Sequence, residues 1–552
     1  MTVLEQCKGR FLLLDIIRMQ DLFEEGLGLA SLTACLRKDG FQVEIQKYRQ
    51  NAIDYEKVYE FQPDVIGFTC GSYNLRIIIA TSEKIRSEYP RAKICAGGYS
   101  PTFYHNEILE ATDAIDCLIC GEGELTIVDL ANTFMRGGDL STVKGIVYRN
   151  EQKQITVNAP RPQIENLDDL PMPARDILKK YHLNIAPMES ARGCFGRCSF
   201  CSFKQFWVDT ATETAVCFRE KSPERVLEEI KQIVQECGIN RITFVDGSYE
   251  LSPKYKREKL RIIAQGILDN NLNISYYFSA RISFMDVIGE EILQLMIRSG
   301  FCGVFLGVES FYQPDLDFFQ KGTTVEQNIA ALEKAAKYPF NVDIGLINFH
   351  PYSSFESLRA NAYYVHKFRY AARFFLIEPL ILFRGTAIYD RCKAEGIILE
   401  EDMVAVRKYV FKDPRIGFLY ECIDEYFRNV INNDRMYTVE VSDYFNDHLD
   451  VMCGIKRYFE ALNKPEETTL IVDYLDKLTA CQTELNDINQ RWFLDLLAVA
   501  ETGTTDKQKH FDILSAQFPK SYITTLAKKL SSQKFRLFLA LQKMDRSYKE
   551  LF

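Results

Sequence analysis

Along residues 1–155, short apolar runs alternate with longer amphipathic stretches. The runs fall at 11–17, 41–45, 65–69, 93–96 and 117–120. Stretches of helical period occupy 27–36, 75–88 and 124–135 between them. Strands joined by helix-length connections pair in parallel, so this region reads as a doubly wound parallel sheet. A proline-bearing linker follows over 156–186, with Pro160, Pro162, Pro171 and Pro173. Alternation resumes over 187–400, with strands expected at 241–245, 275–279, 303–308, 342–347 and 374–382. A second doubly wound sheet is one reading of this part; a full or partial β/α barrel fits the repeated alternation better. From 401 to 552 the strand runs stop. Apolar positions recur at threes and fours, as in Phe418, Leu419, Cys422, Ile423, Tyr426 and Phe427, or Leu530, Phe535, Phe538 and Leu541. That pattern predicts an all-α domain.

Two turns at the ends of the first strands carry glycine: Gly97-Gly98 and Gly121-Glu122-Gly123-Glu124. In open parallel sheets ligands sit at the carboxyl ends of the strands, and glycine lets backbone approach a bound group closely. A plain tight turn is the competing account of each. Cys117 and Cys120 could suggest a redox or metal pair, but in a buried strand they read better as two core thiols.

Composition narrows the class. The 552 residues carry a net charge of −9, which argues against a general nucleic-acid binder. Residues 505–552 are locally basic, as solvated helix faces often are. No stretch reaches the roughly 18 apolar residues of a membrane span. The run at 11–17 is short, contains Asp15 and has no small-residue cleavage site, so it reads as a strand rather than an export signal. The sixteen cysteines are then expected in a reducing, cytoplasmic compartment, as buried thiols or metal ligands.

The segment Ala191-Arg-Gly-Cys194-Phe-Gly-Arg-Cys198-Ser-Phe-Cys201 stands out. By chance its cysteine spacing arises about once in a hundred chains of this cysteine content. Gly193 and Gly196 loosen the loop so that three thiolates can converge on one iron–sulfur cluster, whose usual ligands they are. Three ligands leave one iron of a [4Fe–4S] cube open to a small molecule. Zinc prefers four ligands, and Cys217 is the one candidate for a fourth.

This segment resembles the CxxxCxφC motif of the radical S-adenosylmethionine (SAM) superfamily, with Phe200 at its aromatic position. Further pieces are similar to that family in order and spacing. They are Ser279-Ala-Arg281, Gly303-Val-Phe-Leu-Gly307-Val308-Glu309-Ser310, Lys321-Gly322-Thr323 and Phe383-Arg-Gly385-Thr386. The resemblance implies a partial barrel in which Cys194, Cys198 and Cys201 hold the cluster, with SAM near Arg281, Glu309 and Ser310. It implies reductive cleavage of SAM to a 5′-deoxyadenosyl radical that abstracts hydrogen from an unactivated carbon. Where the family has Gly-Gly-Glu, this chain has Phe244-Val-Asp246-Gly247-Ser248, so Asp246 and Ser248 become candidates for the SAM amino group. His350 replaces a glycine before Pro351 and is a candidate on the substrate side; a structural histidine is the alternative.

The first 150 residues resemble the cobalamin-binding-like domain that precedes the barrel in one subfamily. The supporting pieces are Gly26-Leu-Gly-Leu-Ala30, Pro63-Asp-Val-Ile-Gly67-Phe-Thr69, Cys95-Ala-Gly97-Gly98, Gly121-Glu-Gly-Glu124 and Leu170-Pro-Met-Pro173. The motif DxHxxG is absent, so a histidine ligand to cobalt from it is excluded. Thr69, Gly71, Ser72, Gly97, Gly98, Gly121 and Glu122 are the expected cobalamin contacts. A domain that kept the fold and lost the ligand is the competing account. The resemblance implies a cobalamin-dependent methyltransferase acting on a small molecule, lipid or peptide, with an electron donor such as flavodoxin or ferredoxin. Two alternatives remain at this point: a radical SAM enzyme catalysing cyclisation, rearrangement or epimerisation, and a non-catalytic metal-stabilised binding protein.

Overall fold

The computed structural model describes residues 7–17, 25–49, 52–208, 218–249, 257–370, 374–401, 403, 406–431, 452, 455–456, 459–460, 463–517 and 520–544. Two main sheets and a helical C-terminal part account for them. The first sheet contains β1 (Arg10–Ile17), β2 (Gln42–Arg49), β3 (Val65–Thr69), β4 (Lys93–Gly97), β5 (Cys117–Ile119), β6 (Ile146–Arg149) and β7 (Ile155–Val157). Its order is β2-β1-β3-β4-β5-β6-β7, and β1 to β5 run parallel. Chain order reverses at β1, so β1 and β3 open a crevice above their carboxyl ends. β1 is buried along nearly its whole length because helices cover both faces of the sheet.

β6 and β7 depart from the all-parallel expectation: they form an antiparallel hairpin on the sheet edge. Asn150 makes its turn, accepting from the backbone of Gln152 and Gln154. A connection this short cannot cross over to a parallel partner. Cys117 packs in one core and Cys120 against the other, on opposite sides of the sheet. Burial pushes the Cys120 thiol up to about 12 and Cys117 well above the usual thiol range, so both stay protonated.

The second sheet holds five parallel strands in the order β14-β13-β12-β11-β8. They are β8 (Ala186–Met188), β11 (Arg241–Phe244), β12 (Ser275–Arg281), β13 (Phe301–Glu309) and β14 (Asn341–Leu346). Sequential parallel neighbours, each pair joined by a crossover bearing helix, build an open, partial barrel. β8 tolerates Pro187 because it is an edge strand, paired only with β11. Between β8 and β11 the chain forms a small antiparallel ribbon, β9 (Ala191–Gly193) with β10 (Phe218–Glu220). The strand expected at 374–382 is not formed. Phe374–Ile377 is a short 3-10 helix, and only isolated bridges at Pro379 and Leu382 follow. Pro379 has no N–H to give a ladder.

The C-terminal part is helical, with Pro414–Ile431, Pro465–Glu501, Lys507–Gln517 and Lys520–Met544. The 37-residue helix lies on the barrel helix Phe355–Lys367: His366 Nε2 is 2.8 Å from Asp487, and Asn486 Nδ2 donates to the His366 carbonyl over 3.1 Å. Between the sheets the linker is stapled by Arg175. Its fully buried guanidinium pairs with Glu25, with Glu229 at 2.7 Å and with the Pro187 carbonyl at 2.9 Å. Among the described residues no helix is long and apolar enough to cross a membrane.

Candidate functional site

Gly193, at φ +92°, turns the chain out of β9 into the cysteine loop. The loop closes at once: Gly196 N donates to Cys194 Sγ over 3.3 Å and Cys201 N to the Cys198 carbonyl over 3.3 Å. A Cβ on Gly196 would lie 3.4 Å from Cys194 Sγ, 3.6 Å from Cys198 Sγ and 2.5 Å from Arg281 Nη1. Two of the sulfurs and Arg281 therefore surround one bare backbone position. All three cysteines are half-buried. Among the described residues no three His, Cys, Asp or Glu side chains converge on a point where a single ion could sit; a cube instead gives each thiolate its own iron. Cys217 lies outside the described residues. Ser199 N donates to the Phe319 carbonyl over 2.8 Å, and Phe200 packs edge-on against Phe319, tying the loop to the barrel.

At the carboxyl end of β13, Glu309 sits at φ +65°, uncommon for a residue with a side chain. The strand bulges between Gly307 and Glu309, re-aiming the carboxylate. Glu309 Oε1 takes Lys321 Nζ at 2.7 Å, and Arg281 Nη2 donates to the Lys321 carbonyl over 2.8 Å. A Cβ on Gly307 would stand 2.7 Å from Glu309 Oε1, and one on Gly345 3.2 Å from Oε2, so both glycines make room for the carboxylate. Burial works against the Lys321 ammonium, but Glu309 and Cys198 outweigh it and raise its pKa. Lys321 thus holds Glu309 through its ammonium and Arg281 through its carbonyl, and Arg281 in turn lies beside Gly196 of the cysteine loop.

The structure does not bring every expected SAM residue to this spot. Ser310 is fully buried, its hydroxyl 2.8 Å from Asp315 and 3.1 Å from Asn361. His350 joins the same network, 3.1 Å from Asp315 and stacked on Phe318, which is the structural role. Both brace the Glu309 turn from behind. Asp246 accepts from Ser190 N at 2.8 Å, Ala191 N at 2.6 Å and Ser190 Oγ at 3.0 Å. Three of its four lone pairs are so occupied, and it fastens the strand entering the cysteine loop instead of waiting for an amino group. Burial raises its carboxyl to about 6, against the pull of Lys259. Ser248 is buried beside it in sequence.

A cleft partly open to solvent separates the first sheet from the barrel. Thr69, Gly97, Gly98 and Gly121 line its floor at the ends of β3, β4 and β5. Gly98, at φ +113°, runs close to the Cys70 backbone, where a Cβ would meet a carbonyl oxygen at 3.0 Å. A Cβ on Gly28, also in the lining, would meet nothing within 4 Å and would project into free space. This bare-backbone cradle with mostly apolar walls suits a large, flat cofactor. Gly71 and Ser72 lie outside the lining, in a turn closed by Asn74, whose Oδ1 accepts from Gly71 N at 2.9 Å.

Glu122 borders the cleft but its carboxylate is spent elsewhere. It takes Arg192 Nη1 at 2.8 Å, Arg219 Nη1 at 2.9 Å and Ile164 N at 2.9 Å. Arg192 also reaches Glu124 at 2.6 Å and Glu189 at 2.9 Å. Burial alone would raise the Glu124 carboxyl; Arg192 outweighs it and lowers it. The two arginines face each other across the β9–β10 ribbon, with their guanidiniums 5.3 and 5.8 Å from the Trp207 ring centre. Sequence reasoning missed Arg192, Arg219, Gly28 and the roof residues Phe203, Phe206 and Trp207. The last three had a signal: their spacing fits one face of a helix beginning at Ser202.

Two regions of the chain match known protein families. Residues 22–131 match the B12 binding domain and residues 188–360 the radical SAM superfamily. An uncharacterized methyltransferase of Pyrococcus horikoshii is 28% identical, over 70% of this chain and 82% of its own. Hopanoid C-3 methylase of Methylococcus capsulatus is 28% identical over 58% and 61%. Anaerobic magnesium-protoporphyrin IX monomethyl ester cyclase of Rubrivivax gelatinosus is 27% identical over 50% and 49%, so the chain spans about half of that relative. The solved cobalamin-dependent SAM radical enzyme OxsB, with aqua-cobalamin and SAM bound, superposes with a TM-score of 0.65 at 19% identity. That likeness covers 95% of this chain and 84% of the other. Fold and site define an enzyme built to hold an iron–sulfur cube beside a second, larger cofactor. The chain belongs to the radical SAM superfamily, in the subfamily with an N-terminal cobalamin-binding domain. Its cofactors are a [4Fe–4S] cluster, SAM and cobalamin.

Proposed function

We propose that this chain methylates an unactivated carbon of a small-molecule, lipid or peptide substrate. The carrying observation is the placing of the cleft: its floor belongs to the B12 domain and its roof to residues flanking the cysteine loop. When bound, the cluster and SAM supply the radical that removes a substrate hydrogen, and cobalamin supplies the methyl group. Cys194, Cys198 and Cys201 hold the cluster through thiolates. Arg281, Glu309 and Lys321 form the polar wall that orients SAM, while Gly307 and Gly345 keep room for the Glu309 carboxylate. Thr69, Gly97, Gly98 and Gly121 carry the cobalamin, and the apolar walls of the cleft exclude water from the reacting carbon. A flavodoxin or ferredoxin serves as electron donor. Residues 1–155, 187–400 and 401–552 are taken as three domains joined by the linker 156–186.

Two products test this reading in the anaerobically reconstituted protein given SAM, cobalamin and a reductant. Methyl transfer requires S-adenosylhomocysteine together with 5′-deoxyadenosine. A protein that forms 5′-deoxyadenosine alone, and no more homocysteine product with cobalamin than without, favours the second reading. In that reading the radical drives ring formation or rearrangement, and the likeness to the cyclase supports it.

A further inference from the structure

The cysteine loop has two flanks, and both reach the cleft. On one side Arg192, two positions before Cys194, pairs with Glu122 and Glu124 of the first sheet's last glycine turn. On the other side the helix Ser202–Val208 starts directly after Cys201 and puts Phe203, Phe206 and Trp207 into the roof. Trp207 lies against the guanidiniums of Arg192 and Arg219, so the flanks also touch each other. We propose that both flanks of the cluster loop complete the cobalamin site, with Arg192 positioning the roof on the floor, so that cluster assembly and cobalamin binding strengthen each other. This rests on cobalamin occupying the cleft.

The physical reason is continuity. A cube gripped by three thiolates fixes the loop between Gly193 and Ser202, and with it the spacing of Arg192 from the aromatic helix. Without the cube, the loop keeps its ties to the barrel, such as the Ser199 bonds to the Phe318 and Phe319 carbonyls. Its flanks then lose their common anchor. Arg192 transmits the difference because it engages three carboxylates from one planar fork. A lysine is a point charge and cannot do so. Linkage makes the effect reciprocal: whatever the cluster adds to cobalamin affinity, cobalamin adds to cluster affinity.

The test is equilibrium dialysis of hydroxocobalamin, under anaerobic conditions, against full-length wild-type protein with and without its reconstituted cluster. The cluster-loaded form is expected to bind at least about fivefold more tightly, the lower end of ordinary coupling between sites. Hydroxocobalamin should raise equilibrium iron retention against a chelator by the same factor. Trp207→Ala, loaded with cluster, should bind cobalamin at least about fivefold more weakly. In Arg192→Lys the cluster dependence should shrink to near unity. Should that variant fold poorly, Glu124→Gln carries the same expectation from the other side of the pair. Equal cobalamin affinity with and without the cluster overturns the inference, as does full cluster dependence in a folded Arg192→Lys or Glu124→Gln. Wild-type protein that retains no cobalamin in either state instead removes the cofactor assignment of the cleft, and is distinguishable because it needs no variant.

Discussion

The two cofactor regions are made by opposite means. At the carboxyl ends of β3, β4 and β5 the chain builds a site by leaving side chains out, with glycines at 28, 97, 98 and 121, and the charges on its border, Glu122, Glu124, Glu189 and Arg192, are paired with one another. At the mouth of the barrel it builds one by crowding charge, with Arg281, Glu309 and Lys321 in contact and glycines cleared around them. The first suits a broad cofactor that needs area. The second suits a small zwitterion that needs counter-charges at fixed points. Substitutions should therefore act differently: adding bulk harms the first site, and removing one charge harms the second.

The largest effect should come from the cysteines. Cys198→Ala should drop bound iron toward background and abolish 5′-deoxyadenosine formation, read by iron analysis and chromatography. Next, Gly28→Leu adds bulk where nothing lies within 4 Å. Cobalamin retention should fall more than about tenfold while thermal stability holds or rises, since leucine suits a helix better than glycine. SAM cleavage should persist, and its loss would break the contrast between the two regions. Third, Glu309→Gln keeps shape and removes charge. The KM for SAM should rise about tenfold, the worth of a hydrogen bond to a charged group, with cobalamin affinity unchanged.

The smallest effect is the pH dependence that Asp246 imposes on stability. Its folded pKa of about 6 lies above the value near 3.8 of an exposed aspartate. Stability linked to this group is complete below about pH 4 and is lost as pH rises through 6. Asp246→Asn can still accept from Ser190 N and Ala191 N, so its melting temperature should fall less than that of wild type between pH 5 and 8. Asp246→Ala should cost up to about 3 kcal/mol below pH 4 by orphaning buried donors, and less as pH rises through 6. Equal pH slopes for wild type and Asp246→Asn would count against a buried, partly neutral carboxyl.

The sequence made the cysteine loop legible because its spacing is local and rare. It made β1 to β5 legible because buried parallel strands are continuous apolar runs. The β6–β7 hairpin was not, since its strands of four and three residues carry little period. Glu122 and Asp246 lie where the family pattern puts contacts, but their carboxylates turn to Arg192 and to the Ser190–Ala191 backbone. A strand's period says where it ends, and the partners at that end come from elsewhere: Glu122 and Arg192 are 70 positions apart. Pairings of that range leave no periodic trace. The aromatic trio after Cys201 was legible in spacing, though which cavity it faces needed the packing of both sheets.

Arg175 gives the linker a meaning that its prolines conceal. A guanidinium sealed from water between Glu25 on one side and Glu229 on the other makes this stretch a rivet. Excising either half would take one of these acids from the guanidinium and open the remaining pair to water, and losing a buried partner costs several kcal/mol. The halves are therefore expected not to survive as separately expressed pieces.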